Sequence, residues 1–253
     1  MNTPGYGTFA RFYDAVLDDV QSNSVRVLAA VEKFLPQASS LLELGCGTGS
    51  VLAGLTTLGS LTGLDRSPQM LEIARSKLPT AQYVEGDMAS FSLDRRFDVV
   101  ICVFDTLNHL PTFDQWIALF RRVYDHLSDE GLFVFDVNTI GELRRLAQDP
   151  PWVYDSQENT IIMNVQGGEG ALATWHIRIF EHMGDSRFTL HHERIEELGV
   201  ELDQIKSSLA RWFDLLEEAD PQGEKPSDGS SRAYFVARRR RDPRDGLDMS
   251  RNG

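Results

Sequence analysis

The sequence predicts an α/β fold, a doubly wound sheet with an antiparallel β insertion after its fifth strand. Three features of the chain predict it. Between residues 40 and 137 short apolar runs alternate with helical patterns. The first run, Leu41-Leu42-Glu43-Leu44, passes straight into Gly45-Cys46-Gly47-Thr48-Gly49 and then a helical pattern from Val51. From Trp152 to about Leu198 the residues favour strands, broken by Gly167-Gly168 and Gly184-Asp185, as in an antiparallel meander.

The chain has 253 residues, enough for one domain with an embellishment and a real core. Hydrophobic content of 42% and charged content of 25% are ordinary for a globular protein. A net charge of −13 argues against a binder of nucleic-acid backbones. Its two cysteines, Cys46 and Cys102, fall at core or ligand positions and suit neither a disulfide framework nor a zinc cluster. No basic-then-apolar leader and no membrane-length apolar run is present, so the expected location is the cytoplasm.

Residues 1–8 read as mobile. Phe9, Phe12, Tyr13, Val16 and Leu17 then recur at helical spacing, and a second helix runs from about Val25 to Leu35, ending at Pro36. The strand Leu61 to Leu64 ends at Asp65, and Ser67-Pro68 opens a helix with a cap and a first-turn proline. A strand from Ala81 to Glu85 delivers Gly86-Asp87-Met88. Phe97 to Val103 reads as a buried parallel strand ending in Phe104-Asp105-Thr106-Leu107-Asn108-His109. A helix from about Thr112 to Leu127, a turn at Gly131 and a strand from Leu132 to Val137 complete the alternation. The meander supplies strands at 160–165, 173–180 and 187–195. A helix near Leu202 to Leu209 and strands at 211–217 and 233–237 close the chain, with Arg238 to Arg241 expected as a solvated basic tail.

The glycine loop is the chemical signal. Alternate glycines let backbone approach a ligand, and the following helix offers unpaired N–H groups to its oxygens. Asp65, twenty positions after Gly45, can accept both hydroxyls of a ribose. Ser50 stands where a dinucleotide fingerprint needs its third glycine or alanine, which disfavours NAD and FAD.

Gly-x-Gly-x-Gly preceded by an acid resembles the first motif of class I S-adenosylmethionine-dependent methyltransferases. Residues 5 to about 140 resemble that family in motif order and spacing. Within it the likeness is to the small-molecule branch, such as the amino-sugar N-methyltransferases. They share the Tyr-Asp opening helix, the Gly-Asp-Met turn and the Phe-x-x-x-x-His loop. The resemblance implies a Rossmann-like seven-stranded sheet whose last strand is antiparallel. It implies S-adenosyl-L-methionine as cofactor, with S-adenosyl-L-homocysteine as product, held by Tyr6, Glu43, Gly45, Cys46, Gly47, Gly49, Asp65, Arg66, Met70, Asp87, Met88 and Phe104. It also implies a cap at 1–36, a core at 37–140 and 199–241, an insertion at 141–198 that covers substrate or forms a dimer surface, and a disordered tail at 242–253.

Methyl transfer needs a lone pair held in line behind the methyl carbon and free of its proton. His109 is the candidate base, since an imidazole with a pKa of about 6.5 can accept a proton at neutral pH; the alternative is that it caps the helix near Thr112. Tyr13 fits either core packing or orientation of the acceptor. Asp105, Asn108, Trp152 and Trp175 are candidate substrate contacts. His191-His192 lack metal-ligand spacing, and no metal is expected. The expected partner is a small-molecule amine or hydroxyl acceptor, with neither nucleic acid nor membrane, and an exposed meander edge could pair two copies. Two alternatives stay open: methyl transfer to tRNA or protein, and a non-catalytic cofactor-binding subunit of the same fold.

Overall fold

The computed structural model describes residues 6–16 and 20–243. In chain order the main elements are α1 (Tyr13–Val16), α2 (Val20–Phe34), β1 (Ser40–Leu44), α3 (Ser50–Ala53), β2 (Ser60–Asp65), α4 (Pro68–Lys77), β3 (Gln82–Glu85), β4 (Phe97–Cys102), α5 (Phe113–His126), β5 (Leu127–Asn138) and α6 (Ile140–Leu146). There follow β6 (Trp152–Ser156), β7 (Asn159–Gly167), β8 (Leu172–His182), β9 (Phe188–Leu198), α7 (Leu202–Leu209), β10 (Phe213–Ala219) and β11 (Arg232–Arg239).

Seven strands form one sheet in the order β10-β11-β5-β4-β1-β2-β3. β11, the last in sequence, runs antiparallel to β5 and β10, whereas β1, β2, β3, β4 and β5 pair in parallel. Buried strands show apolar residues on both faces. Leu42, Val100, Phe133, Phe135 and Phe235 pack with Trp116 and Phe120 of α5 and Ile205 of α7. Their neighbours Leu41, Val99, Ile101, Val134 and Val236 pack on the opposite face with Val27 and Val31 of α2 and Leu71 of α4. The strand order reverses between β1 and β4, which opens a crevice at their carboxyl ends.

The insertion is a second, four-stranded antiparallel sheet, β6-β7-β8-β9. The meander has one strand more than the sequence suggests, because Trp152–Ser156 folds back on β7. Phe9 and Phe12 bury themselves against Ile161, Ile177, Ile179 and Ile195 of this sheet. The N-terminal segment thus rests on the insertion and closes over the crevice.

Several boundaries differ from expectation for tertiary reasons. α2 begins at Val20 rather than Val25, because Asn23 and Ser24 are buried and Ser24 Oγ donates to the Val51 carbonyl, 3.2 Å away. Gly131 lies in a bulge of β5, where the register with β4 jumps from Phe97–Leu127 to Val99–Leu132. Residues 6–8 are tied down by hydrogen bonds rather than free. Arg238 and Arg239 belong to β11 itself. Arg239 donates to Asp129 and the Tyr124 carbonyl, Arg240 to Asp214 and Arg241 to Glu130, so the basic run is pinned by acids of its own fold. Leu17 and most of the expected tail lie outside the described residues. Among those described, no helix is long and apolar enough to cross a membrane.

Candidate active site

A cavity of about 500 Å³ opens at the carboxyl ends of β1, β2, β3 and β4, closed from above by the N-terminal segment and sheet β6–β9. Its floor is the glycine loop. Gly45 and Gly47 have φ of +64° and +51°, a region costly to any residue with a Cβ. A Cβ on Gly45 would lie 2.3 Å from Thr106 Cγ2, and one on Gly47 would reach to within 3.8 Å of Tyr13 Cε1, narrowing the gap. Asp65 folds the loop onto the end of β2. Its Oδ2 accepts from Gly47 N–H (2.8 Å) and its Oδ1 from Ser67 N–H (2.8 Å), so each oxygen keeps a further lone pair for a ligand. Burial pushes the Asp65 carboxyl up, and these N–H groups partly offset it.

Tyr6, Arg66, Met70, Asp87, Met88 and Phe104 line the cavity with Gly45, Gly47 and Asp65. Three expected contacts do not. Gly49 packs against Ala74, Cys46 turns its thiol toward Gly63, and Glu43 is buried behind the loop at 3% exposure. One Glu43 oxygen, Oε2, has no hydrogen-bond partner, and burial pushes its carboxyl well up.

The far wall begins at β4. Phe104 and Asp105 both adopt positive φ, 60° and 50°. Asp136, fully buried in β5, pins them by accepting from both of their N–H groups at 3.0 and 2.8 Å. Arg232 of β11 bridges the two acids, Nη1 to Asp136 at 2.5 Å and Nη2 to Asp105 at 2.6 Å. Burial would raise the Asp105 carboxyl, but Arg232 and His109 hold it below its ordinary value. Glu197 of β9 is pushed well up, by burial first and then by the Asp105 charge beside it.

His109 ends a 3₁₀ turn, Thr106–His109, and does not cap α5, whose first turn is preceded by Thr112 without a side-chain cap bond. Its Nε2 lies 2.7 Å from the Tyr6 hydroxyl, its ring stacks on Tyr6 at 5.9 Å, and its Nδ1 is buried without a partner. Burial pushes its pKa below 6.5 against the opposing pull of Asp105. Tyr13 lines the cavity and packs edge-on to Tyr6 and Phe9.

Asn108 is fully buried and does not line the cavity. Its amide donates to the Asn138 and Leu198 carbonyls and accepts from Asn138 N–H, stitching the turn to β5 and β9. Trp175 lines the cavity with its buried Nε1 unpartnered, while Trp152 stacks behind it at 5.7 Å. The fold also brings Asp105, His109 and Glu197 within 4.8 Å of one another, a grouping invisible to sequence spacing. Arg232 already engages Asp105, and Asn138 Nδ2 donates to Glu197 at 3.1 Å.

Four important residues escaped sequence reasoning: Asp136, Arg232, Glu193 and Glu197. Glu193 accepts three backbone N–H bonds, from Tyr6 (2.7 Å), Gly7 (3.1 Å) and Phe9 (2.8 Å), and so clamps the segment that carries Tyr6. A signal existed for one of them. Asp136 is an acid inside the apolar run Phe133 to Val137, and a buried acid in such a run asks for a partner.

With this geometry in place, the profile of a family described as "Methyltransferase domain" matches residues 41–131. A methyltransferase-named protein of Geobacillus sp. (strain WCH70) is 30% identical over 247 residues, covering 92% of this chain and 99% of the relative. The chain belongs to the methyltransferase family. The dTDP-3-amino-3,6-dideoxy-alpha-D-glucopyranose N,N-dimethyltransferase of Streptomyces fradiae is 36% identical over 135 residues, about half of each chain (51% and 53%). In fold, this methyltransferase superposes on an S-adenosylmethionine-dependent methyltransferase from Clostridium acetobutylicum with a TM-score of 0.81 at 22% identity, covering 91% and 97% of the two chains. S-adenosyl-L-methionine is the cofactor. The residues present suit it: a glycine cradle that side chains would fill and a ribose-type acid at Asp65.

Proposed function

We propose that this enzyme methylates a nitrogen or oxygen of a small molecule held between the N-terminal cap, the 104–110 loop and sheet β6–β9. The Streptomyces fradiae relative, named for a dTDP-linked amino-sugar acceptor, supports a small-molecule substrate. The observation that carries the reading is the cavity that the glycine loop and the Tyr6–His109 pair line together.

The cofactor, when bound, supplies an electrophilic methyl group on a sulfonium. Gly45, Gly47 and Asp65 would hold it on the loop side, with Asp87 and Met88 at its ring and Tyr6, Arg66, Met70 and Phe104 around it. The protein's part is then positioning and proton removal. Tyr13 and Trp175 bound the acceptor and keep its lone pair in line, the kind of alignment that contributes roughly 7–11 kcal/mol in favourable systems. Tyr6 stays a neutral phenol, because burial pushes its pKa well above 10. In the tautomer with its proton on Nδ1, His109 Nε2 accepts from the Tyr6 hydroxyl. When the acceptor is methylated, its proton would pass to the Tyr6 oxygen while the phenol proton moves to His109 Nε2, 2.7 Å away. Segment 6–16 acts as a cap and sheet β6–β9 as an acceptor cover. Both cysteines are free and buried, which supports a reducing compartment such as the cytoplasm.

Thermal unfolding with the cofactor and with its demethylated product tests the first half, with NAD as control. At 100 times its dissociation constant a ligand stabilises by roughly 2.7 kcal/mol, a rise of several degrees for a domain of this size. A shift with NAD and none with the sulfur nucleosides would sink the assignment of the glycine loop.

A further inference from the structure

The acceptor half of the cavity has a charge pattern that selects its ligand. Beyond the glycine loop the walls come from the 104–111 segment, α6 and sheet β6–β9. Three carboxyl side chains, Asp105, Glu142 and Glu197, stand among apolar surfaces such as Leu110, Met163 and Ile177. Among the lining residues the arginines are Arg66 and Arg232, and no lysine is present. Arg66 follows Asp65 at the end of β2, on the cofactor side. Arg232 spends both terminal nitrogens on Asp105 and Asp136.

We infer that the acceptor reaches this site as an uncharged or cationic molecule with a largely apolar body, and that phosphate- or carboxylate-bearing acceptors are rejected, so that this chain departs from the Streptomyces fradiae relative, which is named for a dTDP-linked sugar. This rests on the proposed placement of the acceptor opposite the glycine loop. A buried anion needs charge-assisted donors to replace its water, and Arg232 cannot leave two buried carboxylates to supply them. A cation meets the opposite situation. Asp105, Asp136 and Arg232 together carry one net negative charge, and the Glu197 carboxyl stands beside them.

The test is calorimetric titration with tyramine and its phosphate ester, a pair that shares one body and one amine and differs only in the phosphate. The enzyme is saturated with S-adenosyl-L-homocysteine. Tyramine should bind at least about tenfold more tightly than the ester. Asp105→Asn should narrow that ratio toward one by removing a negative charge and freeing one end of Arg232. Because Asp105→Asn could also loosen the fold, Glu142→Gln at the rim of the wall is measured beside it and should shift the ratio in the same direction. Equal or tighter binding of the ester to the unaltered enzyme overturns the inference, and so does a failure of both compounds to bind. If S-adenosyl-L-homocysteine itself fails to bind, the cofactor assignment has failed instead, and the same pair titrated into the cofactor-free enzyme still decides charge selection.

Discussion

The two walls of the cavity are built on different principles. The glycine-loop wall comes from one continuous stretch, β1 through the Gly86-Asp87-Met88 turn after β3, and its floor is backbone. Its shape follows from left-handed glycines and from Asp65 gathering two N–H groups. The opposite wall is assembled from residues far apart in sequence and presents side chains. Tyr6 is bound by Glu193, 187 positions away, and Asp105 by Arg232, 127 positions away. Backbone geometry encoded locally suits a cofactor used unchanged across a family. Side chains brought in from distant segments can be exchanged without disturbing the glycine loop.

The largest break in this contrast should come from Arg232→Met. Removing the guanidinium leaves Asp105 and Asp136 buried with no counter-charge, a loss of about 3–5 kcal/mol in chemical denaturation. The deficit should shrink as pH falls, because protonated acids need no cation; a deficit independent of pH would contradict the charge account. Next is His109→Ala, expected to lower turnover by about 10²-fold or more while cofactor affinity stays the same. Burial holds His109 below its usual pKa, so it is neutral at pH 7. Turnover of the unaltered enzyme should therefore be flat near neutrality and fall only as pH drops below about 6.5. An acid limb above that value would point to another base.

Glu193→Gln sharpens the comparison, since it touches only the long-range wall. Charge-assisted hydrogen bonds contribute about 1.5–3 kcal/mol each, so exchange at the Tyr6, Gly7 and Phe9 amides should quicken about tenfold or more. Amides of the glycine loop should keep their protection, and a change there would show the two walls to be one cooperative unit. The smallest effect belongs to Asp14→Asn. Asp14 joins the cap to Thr48, Ser50 and Lys77, but this network is largely exposed. A loss of no more than about 1 kcal/mol is expected, smaller still in high salt.

Local patterns could be read from the chain because they need no distant partner. Apolar runs on both faces of β1, β4 and β5 imply helices on both sides, and a glycine loop between strand and helix implies a ligand floor. The cap at Ser67 and the helix Leu202–Leu209 were legible for the same reason. Other features looked different in isolation. Arg238 to Arg241 resembled a tail until Asp129, Glu130 and Asp214 were brought against it. Asn108 resembled a substrate contact until both ends of its amide met buried backbone.

The sequence by itself determined the alternating architecture, the glycine loop with Asp65, and the presence of a histidine at the end of β4. Only the tertiary structure decided what that histidine faces, which acids are paired, and which wall carries the charge. The reason is physical. Backbone conformation and hydrophobic period depend on neighbours within a few residues. The state of a buried ionisable group depends on desolvation and on charges a few ångströms away, which here come from β5, β9, β11 and the N-terminal segment together.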